Sequence, residues 1–177
     1  MKVFGFAGWS GSGKTTLIEQ LIPRLARNGP VSLVKHAHHE FDIDQAGKDS
    51  WRHRQAGCTE VLVSSSQRFA LMHELRGAAE LTLPQALARL SADALVLVEG
   101  YKAFPIPKLE VWRAAVGKPL LHLADPAIRG IATDTPEKFA AAGLPVFPIA
   151  DVDEIATFVL REAAPWSRAI DAPKGSE

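Results

Sequence analysis

The chain has 177 residues, 20 Lys plus Arg against 20 Asp plus Glu, 47% hydrophobic and 23% charged side chains. That length and composition describe a globular protein of one domain, or one with a small appendage, and exclude a mainly disordered chain. Zero net charge excludes a protein that coats nucleic acid or anionic membrane, while leaving room for one local anion site. The single Cys58 excludes an intramolecular disulfide and suits a reducing, cytoplasmic location.

In chain order, residues 3–7 form a short apolar run that reads as a buried strand, followed by a glycine-rich turn. From Lys14 the period becomes helical, with Leu17, Ile18, Leu21, Ile22 and Leu25 on one face, a kink expected at Pro23 and a stop at Asn28–Gly29. Residues 31–34 read as a second strand, parallel to the first by a right-handed crossover. A polar loop spans residues 35–48, and a helix is expected over 49–56. Residues 60–63 and 69–72 read as strands around a Ser-rich turn, and 83–90 as a helix with Pro84 in its first turn. Residues 94–98 are apolar on both faces and belong mid-sheet. Further strands are expected at 109–112, 120–123, 128–132 and 146–149, the last at an edge because of Pro148. A helix over 136–142 is expected to be capped by Thr135, and one ending at Glu162 by Asp151 or Asp153. Residues 163–177 have no period and read as a mobile tail. Alternating strands and helices predict an α/β fold, a mostly parallel sheet with helices on both faces, over residues 1–162. No apolar run reaches the ~18 residues of a spanning helix, and residues 1–5 lack the apolar stretch of a secretory signal.

Residues Gly8, Trp9, Ser10, Gly11, Ser12, Gly13, Lys14 and Thr15 match the phosphate-loop pattern G-x-x-x-x-G-K-[ST], between a buried strand and an amphipathic helix. Glycines let backbone N–H groups face phosphate oxygens, and the helix N-terminus adds its positive dipole end. Lys14 can reach the β- and γ-phosphates, and the Thr15 hydroxyl can ligate Mg²⁺. Thr16 continues the motif into the helix. Glu99 ends an aliphatic strand, where ligands gather in an open parallel sheet, and is the candidate acid for the metal.

The stretch from Lys35 to Arg54 follows the second strand. Lys35 can neutralise phosphate charge, and Asp42, Asp44 or Asp49 can hold Mg²⁺; Thr15, Asp44 and Glu99 make up the candidate metal set. Arg52 and Arg54 are two apart on a helix, so only one is expected to face a site. The spacing of His36, His38 and His39 does not match a structural zinc site, and hydrogen bonding is the commoner role for such a loop.

Several runs besides the phosphate loop carry a resemblance: Lys35-His36-Ala37-His38-His39, Phe41-Asp42-Ile43-Asp44, Gly47-Lys48-Asp49-Ser50-Trp51-Arg52, Val98-Glu99-Gly100-Tyr101-Lys102 and Pro107-Lys108-Leu109-Glu110-Val111. Over residues 1–161 the chain resembles the MobB family, molybdopterin-guanine dinucleotide biosynthesis adaptor proteins. The resemblance implies a P-loop NTPase-like fold and a GTP-binding homodimer with weak Mg²⁺-dependent GTPase activity. It also implies assistance to the nucleotidyltransferase MobA, which joins GMP to molybdopterin; molybdopterin or a molybdoenzyme is a further possible partner. Lys35 resembles a phosphate-contacting lysine and Glu99 a metal-side acid. The N/T-K-x-D guanine motif is absent, and Thr133–Asp134 is its nearest partial substitute; Asp134 also suits a turn or helix cap before Pro136. Lys102 and Lys108, with the 35–54 loop, are candidates for meeting molybdopterin. The alternatives are an ATP-dependent small-molecule kinase or ligase of the dethiobiotin synthetase-like class, and an interaction module that binds no nucleotide. Cys58 reads as buried or incidental, and Trp51 and Trp112 as packing residues.

Overall fold

A computed structural model describes residues 1–37 and 41–166; His38 and His39, and with them most of the histidine cluster, lie outside the described residues. Among the described residues the strands are β1 (Lys2–Ala7), β2 (Val31–Lys35), β3 (Glu60–Ser64), β4 (Phe69–His73), β5 (Leu95–Glu99), β6 (Lys108–Trp112), β7 (Ile128–Thr133), β8 (Val146–Pro148) and β9 (Ala164–Pro165). The helices are α1 (Lys14–Leu25), α2 (Asp49–Gln55), α3 (Leu83–Leu87) and α4 (Val152–Glu162). Contacts gather in two compact units, one of Met1–His36 with the chain from Leu83 onward, the other of Ala37–Thr82.

The first unit holds a sheet in the order β2-β5-β1-β6-β7-β8, all parallel, with β9 antiparallel to the start of β1. Strand alternation divides the apolar side chains between two faces. Phe4, Phe6, Leu97, Leu109 and Val111 pack with Leu17, Leu21 and Leu25 of α1 and Ile155, Phe158 and Val159 of α4. On the opposite face Val3, Val96 and Val98 pack with Leu83 and Leu87 of α3. Both faces are thus covered, and β5 and β1 sit inside the sheet, as runs apolar on both faces require. The mostly parallel α/β sheet is the fold that the sequence predicts. Helix α1 continues through Pro23 to Leu25. Asp151 caps α4, its Oδ1 accepting from the Glu154 N–H at 3.4 Å.

Three expectations are corrected. Residues 120–123 are not a strand: the N–H groups of Leu121 and His122 donate to the Glu110 carboxylate, which competes with a ladder. The 136–142 helix is a single 3₁₀ turn, Pro136–Phe139, and Thr135 makes no side-chain cap. The beginning of the expected tail is held, because Ala164 and Pro165 pair with Val3 and Lys2.

In the second unit β3 and β4 form a two-stranded antiparallel hairpin against which α2 packs. Arg54 of α2 donates to Asp42 at 2.8 Å, Asp44 at 3.1 Å and Glu74 at 2.6 Å, while Arg52 is exposed. The two arginines diverge as their spacing demands. Hydrogen bonding from Arg54 holds the Asp42 carboxyl below its ordinary range. Burial pushes the Asp44 carboxyl up, but hydrogen bonds from Ser50, the Gln45 N–H and Arg54 outweigh it and the net direction is down. Cys58 is exposed rather than buried.

Candidate nucleotide-binding site

The turn from β1 into α1 is made by residues that L side chains with a Cβ could not replace. Gly8 has φ 151°, and a Cβ there would lie 2.5 Å from the Val111 carbonyl oxygen at the end of β6. Gly13 caps α1 with φ 91°. The Lys14 ammonium donates to the carbonyls of Gly8 at 3.0 Å and Trp9 at 2.9 Å, so it lies within the ring of the loop. Burial holds its pKa below the ordinary lysine value; Glu99 opposes that, and Lys102 and Lys35 add to it. Ser12 is 2% exposed and its hydroxyl has no protein partner. A buried orphan hydroxyl costs free energy unless something binds it.

Glu99 ends β5, in register with Phe6 of β1 on one side and Lys35 of β2 on the other. This parallel register brings three sequence-predicted residues together. Thr15 Oγ1 donates to Glu99 Oε1 at 2.9 Å, and Lys35 Nζ lies 3.8 Å from Glu99 Oε2. A hydroxyl and a carboxylate side by side beneath a phosphate loop form a hard-oxygen donor pair suited to Mg²⁺. The chain turns sharply after Glu99: Gly100 has φ 101° and non-glycine Tyr101 φ 47°. A Cβ on Gly100 would lie 2.5 Å from that of His36. Beyond this turn the Lys102 ammonium lies 4.7 Å from the Trp9 ring centroid, and Trp9 Nε1 donates to the Pro119 carbonyl at 2.8 Å.

The remaining predicted residues are placed as follows. Ser10, Gly11 and Thr16 lie in the loop and the first turn of α1. Asp134 follows β7 and accepts from the Ala114 N–H at 3.3 Å, a contact with the segment after β6 rather than a helix cap. Asp44 lies in the second unit with both carboxylate oxygens in hydrogen bonds, to Gln45 and Ser50 on one and Arg54 on the other. Lys108 is buried, its ammonium held by the carbonyls of Lys102 and Phe104 and by Asp125. Among the described residues no group of three or more His, Cys, Asp and Glu side chains gathers as a metal site. No described helix is long and apolar enough to cross a membrane.

Two features escaped sequence reading. Glu110 of β6 is fully buried and accepts from His122 Nδ1 at 2.7 Å besides the two backbone N–H groups, which holds Leu121 and His122 against the strand. Arg113 follows β6, and its guanidinium would lie 3.2 Å from a Cβ on Gly13. The signal for Arg113 was available: it stands at a parallel strand's carboxyl end, as Glu99 does.

The strand–loop–helix geometry with an acid at the end of the adjacent strand defines a protein of the P-loop NTPase-like class. The sequence profile of the family described as "Molybdopterin guanine dinucleotide synthesis protein B" matches residues 3–134, and the chain belongs to that MobB family. It is 45% identical over 136 residues to the molybdopterin-guanine dinucleotide biosynthesis adapter protein of Haemophilus influenzae, covering 76% of this chain and 75% of that one. It is 39% identical over 162 residues to the Escherichia coli adapter protein, covering 89% and 91%. The crystal structure of Bacillus subtilis MobB superposes with a TM-score of 0.69 at 25% identity, over 94% of this chain and all of that one.

Proposed function

We propose that the protein is a GTP-binding adaptor with slow Mg²⁺-dependent hydrolysis, which assists a MobA-type nucleotidyltransferase in attaching GMP to molybdopterin. The observation that carries the nucleotide reading is the cluster of Lys14, Lys35, Thr15 and Glu99 around the loop, with the Thr15–Glu99 hydrogen bond of 2.9 Å at its centre. Ser12, with its partnerless buried hydroxyl, fits a phosphate or a water of its shell. Thr15 and Glu99 would hold Mg²⁺, which when bound supplies positive charge to the β- and γ-phosphates. Lys14 and Lys35 bring further positive charge to that side. The cofactor-biosynthesis role comes from the names of the relatives, and guanine selectivity from the family, with Asp134 as the base-side candidate. Titration with GTP, GDP and ATP, with and without Mg²⁺, tests the reading. Tighter binding of guanine nucleotides is expected, together with loss of binding in Lys14→Ala. Equal affinity for ATP and GTP would sink the guanine assignment and favour an ATP-dependent kinase or ligase.

The same reading includes a homodimer. Pairing of Leu62 with Leu71 and of Ser64 with Phe69 puts Leu62, Leu71 and Phe69 on one face of the hairpin, at 61%, 52% and 73% exposure. A two-stranded sheet is marginal alone, and a second copy is the occupant this self-complementary apolar face suits. Leu71→Lys is expected to shift the mass measured by light scattering from dimer to monomer. An unchanged mass would remove the hairpin face from the interface.

A further inference from the structure

Arg113 has a position that its own fold does not explain. Its Nε is buried and makes no hydrogen bond in the protein, and its guanidinium rests against Gly13, the N-cap of α1. A helix N-terminus carries partial positive charge and repels a cation. Lys14 is the next residue, and burial already disfavours its ammonium. A buried unpaired donor and a cation beside a positive helix end are both unfavourable in the protein alone, and a single change relieves both: an anion bound at the loop.

Its neighbours say which part of a nucleotide that anion is. Arg113 touches the phosphate loop at Gly13, and the adjoining Ala114 N–H donates to Asp134, the base-side candidate. Glu99 ends β5, the other neighbour of β1, and Lys35 ends β2 beyond it, so both stand on the opposite side of β1 from β6. Arg113 therefore stands between the loop and the base, where a nucleotide carries its α- and β-phosphates. We propose that Arg113 is a nucleotide-binding residue that donates from its guanidinium to the α/β-diphosphate, equally in GDP and GTP. The proposal rests on the nucleotide reading above. It separates Arg113 from a γ-phosphate arginine finger, which would favour the triphosphate and act on the rate of hydrolysis.

The test compares wild type, Arg113→Met, Arg113→Lys and Lys14→Ala by calorimetric titration with GTP and GDP in Mg²⁺, with melting temperatures taken without nucleotide. Loss of a charge-assisted hydrogen bond predicts that Arg113→Met binds GTP and GDP about tenfold or more weakly, by the same factor for both. Arg113→Lys, which retains the charge, is expected to recover part of the loss. The nucleotide-free Arg113→Met protein is expected to melt no lower than wild type, since the side chain removed there is unpaired. GDP affinity within about twofold of wild type, or a loss confined to GTP, would overturn the proposal, and so would a lowered melting temperature with affinity intact. If Arg113→Met binds normally while Lys14→Ala does not, only the role of Arg113 falls. If wild type binds neither nucleotide, the nucleotide reading falls with it.

Discussion

Lys108 is the largest polar side chain to be fully enclosed in the core, at 1% exposure, and it makes a sharp test of how the site's scaffold is held. Its ammonium donates to the carbonyls of Lys102 at 2.6 Å and Phe104 at 2.9 Å, and pairs with Asp125 Oδ2. Gly5 makes the passage possible, because a Cβ there would lie 2.6 Å from Lys108 Cγ. The substitution Asp125→Asn keeps the side chain's size and leaves Oδ1 to accept from the Ala127 N–H, as it does in the wild type at 3.0 Å. The amide nitrogen then faces the ammonium, donor against donor, inside the protein. Breaking a buried ion pair by neutralising one member costs about 3 kcal/mol. For a chain of this length that lowers the melting temperature by about 6–12 °C. Lys108→Met is milder, about 1–2 kcal/mol, because Asp125 is a quarter exposed and can hydrate while two carbonyls lose a donor. The double variant should accordingly be more stable than Asp125→Asn alone, a sign reversal that additive contributions cannot give. Urea unfolding of the four proteins measures the cycle. A cost below about 1 kcal/mol for Asp125→Asn, or a double variant less stable than that single one, would refute the buried-pair argument.

Two further outcomes follow from the same geometry. Gly100→Ala combines a positive φ with a Cβ overlapping His36, so a loss of about 2 kcal/mol or more is expected in urea unfolding; a neutral result would mean that the turn after Glu99 relaxes freely. In the second unit Asp42 and Asp44 have lowered carboxyl pKa values, so their contribution is full above about pH 4 and fades as the pH falls through the lowered folded values. Protection factors of the β3 and β4 amides, corrected for the pH dependence of intrinsic exchange, should therefore fall on acidification in the wild type, and Arg54→Met should flatten that dependence; equal slopes would show that the arginine is not its source.

What the sequence disclosed divides along local and non-local lines. The loop from Gly8 to Thr15 was legible because its chemistry depends on spacing within eight residues. Glu99 and Lys35 were legible because each ends an aliphatic strand, and parallel pairing puts such ends side by side. The run Leu120–Leu121–His122–Leu123 was misread as a strand because apolarity alone does not reveal a competing acceptor. Its N–H groups go to Glu110, eleven and twelve residues earlier, and Leu123 is left 77% exposed. Arg54 illustrates the same limit: its helix spacing showed that it diverges from Arg52, but Glu74, twenty residues on, could be found as its partner only in three dimensions.

The balance of 20 basic and 20 acidic side chains conceals unequal local balances. In the second unit one arginine is met by three carboxylates, Asp42, Asp44 and Glu74. Around the phosphate loop the ratio is inverted: Lys35 and Lys102 both bear electrostatically on Lys14, Arg113 lies against Gly13, and Glu99 is the acid that acts on Lys14. Salt screens exposed charges beyond about 8 Å, so each cluster presents its own local field rather than the average of the chain. The excess of acceptors around Arg54 makes a structural clamp in which its cation is fully met and negative charge is left over. An excess of cations around the loop is unfavourable without a counter-charge, and under the proposed reading a nucleotide's phosphates would supply it beside Glu99. Zero net charge is therefore compatible with the proposed anionic ligand, because the cations near the loop, Lys14, Lys35, Lys102 and Arg113, outnumber the one acid, Glu99, that acts on Lys14.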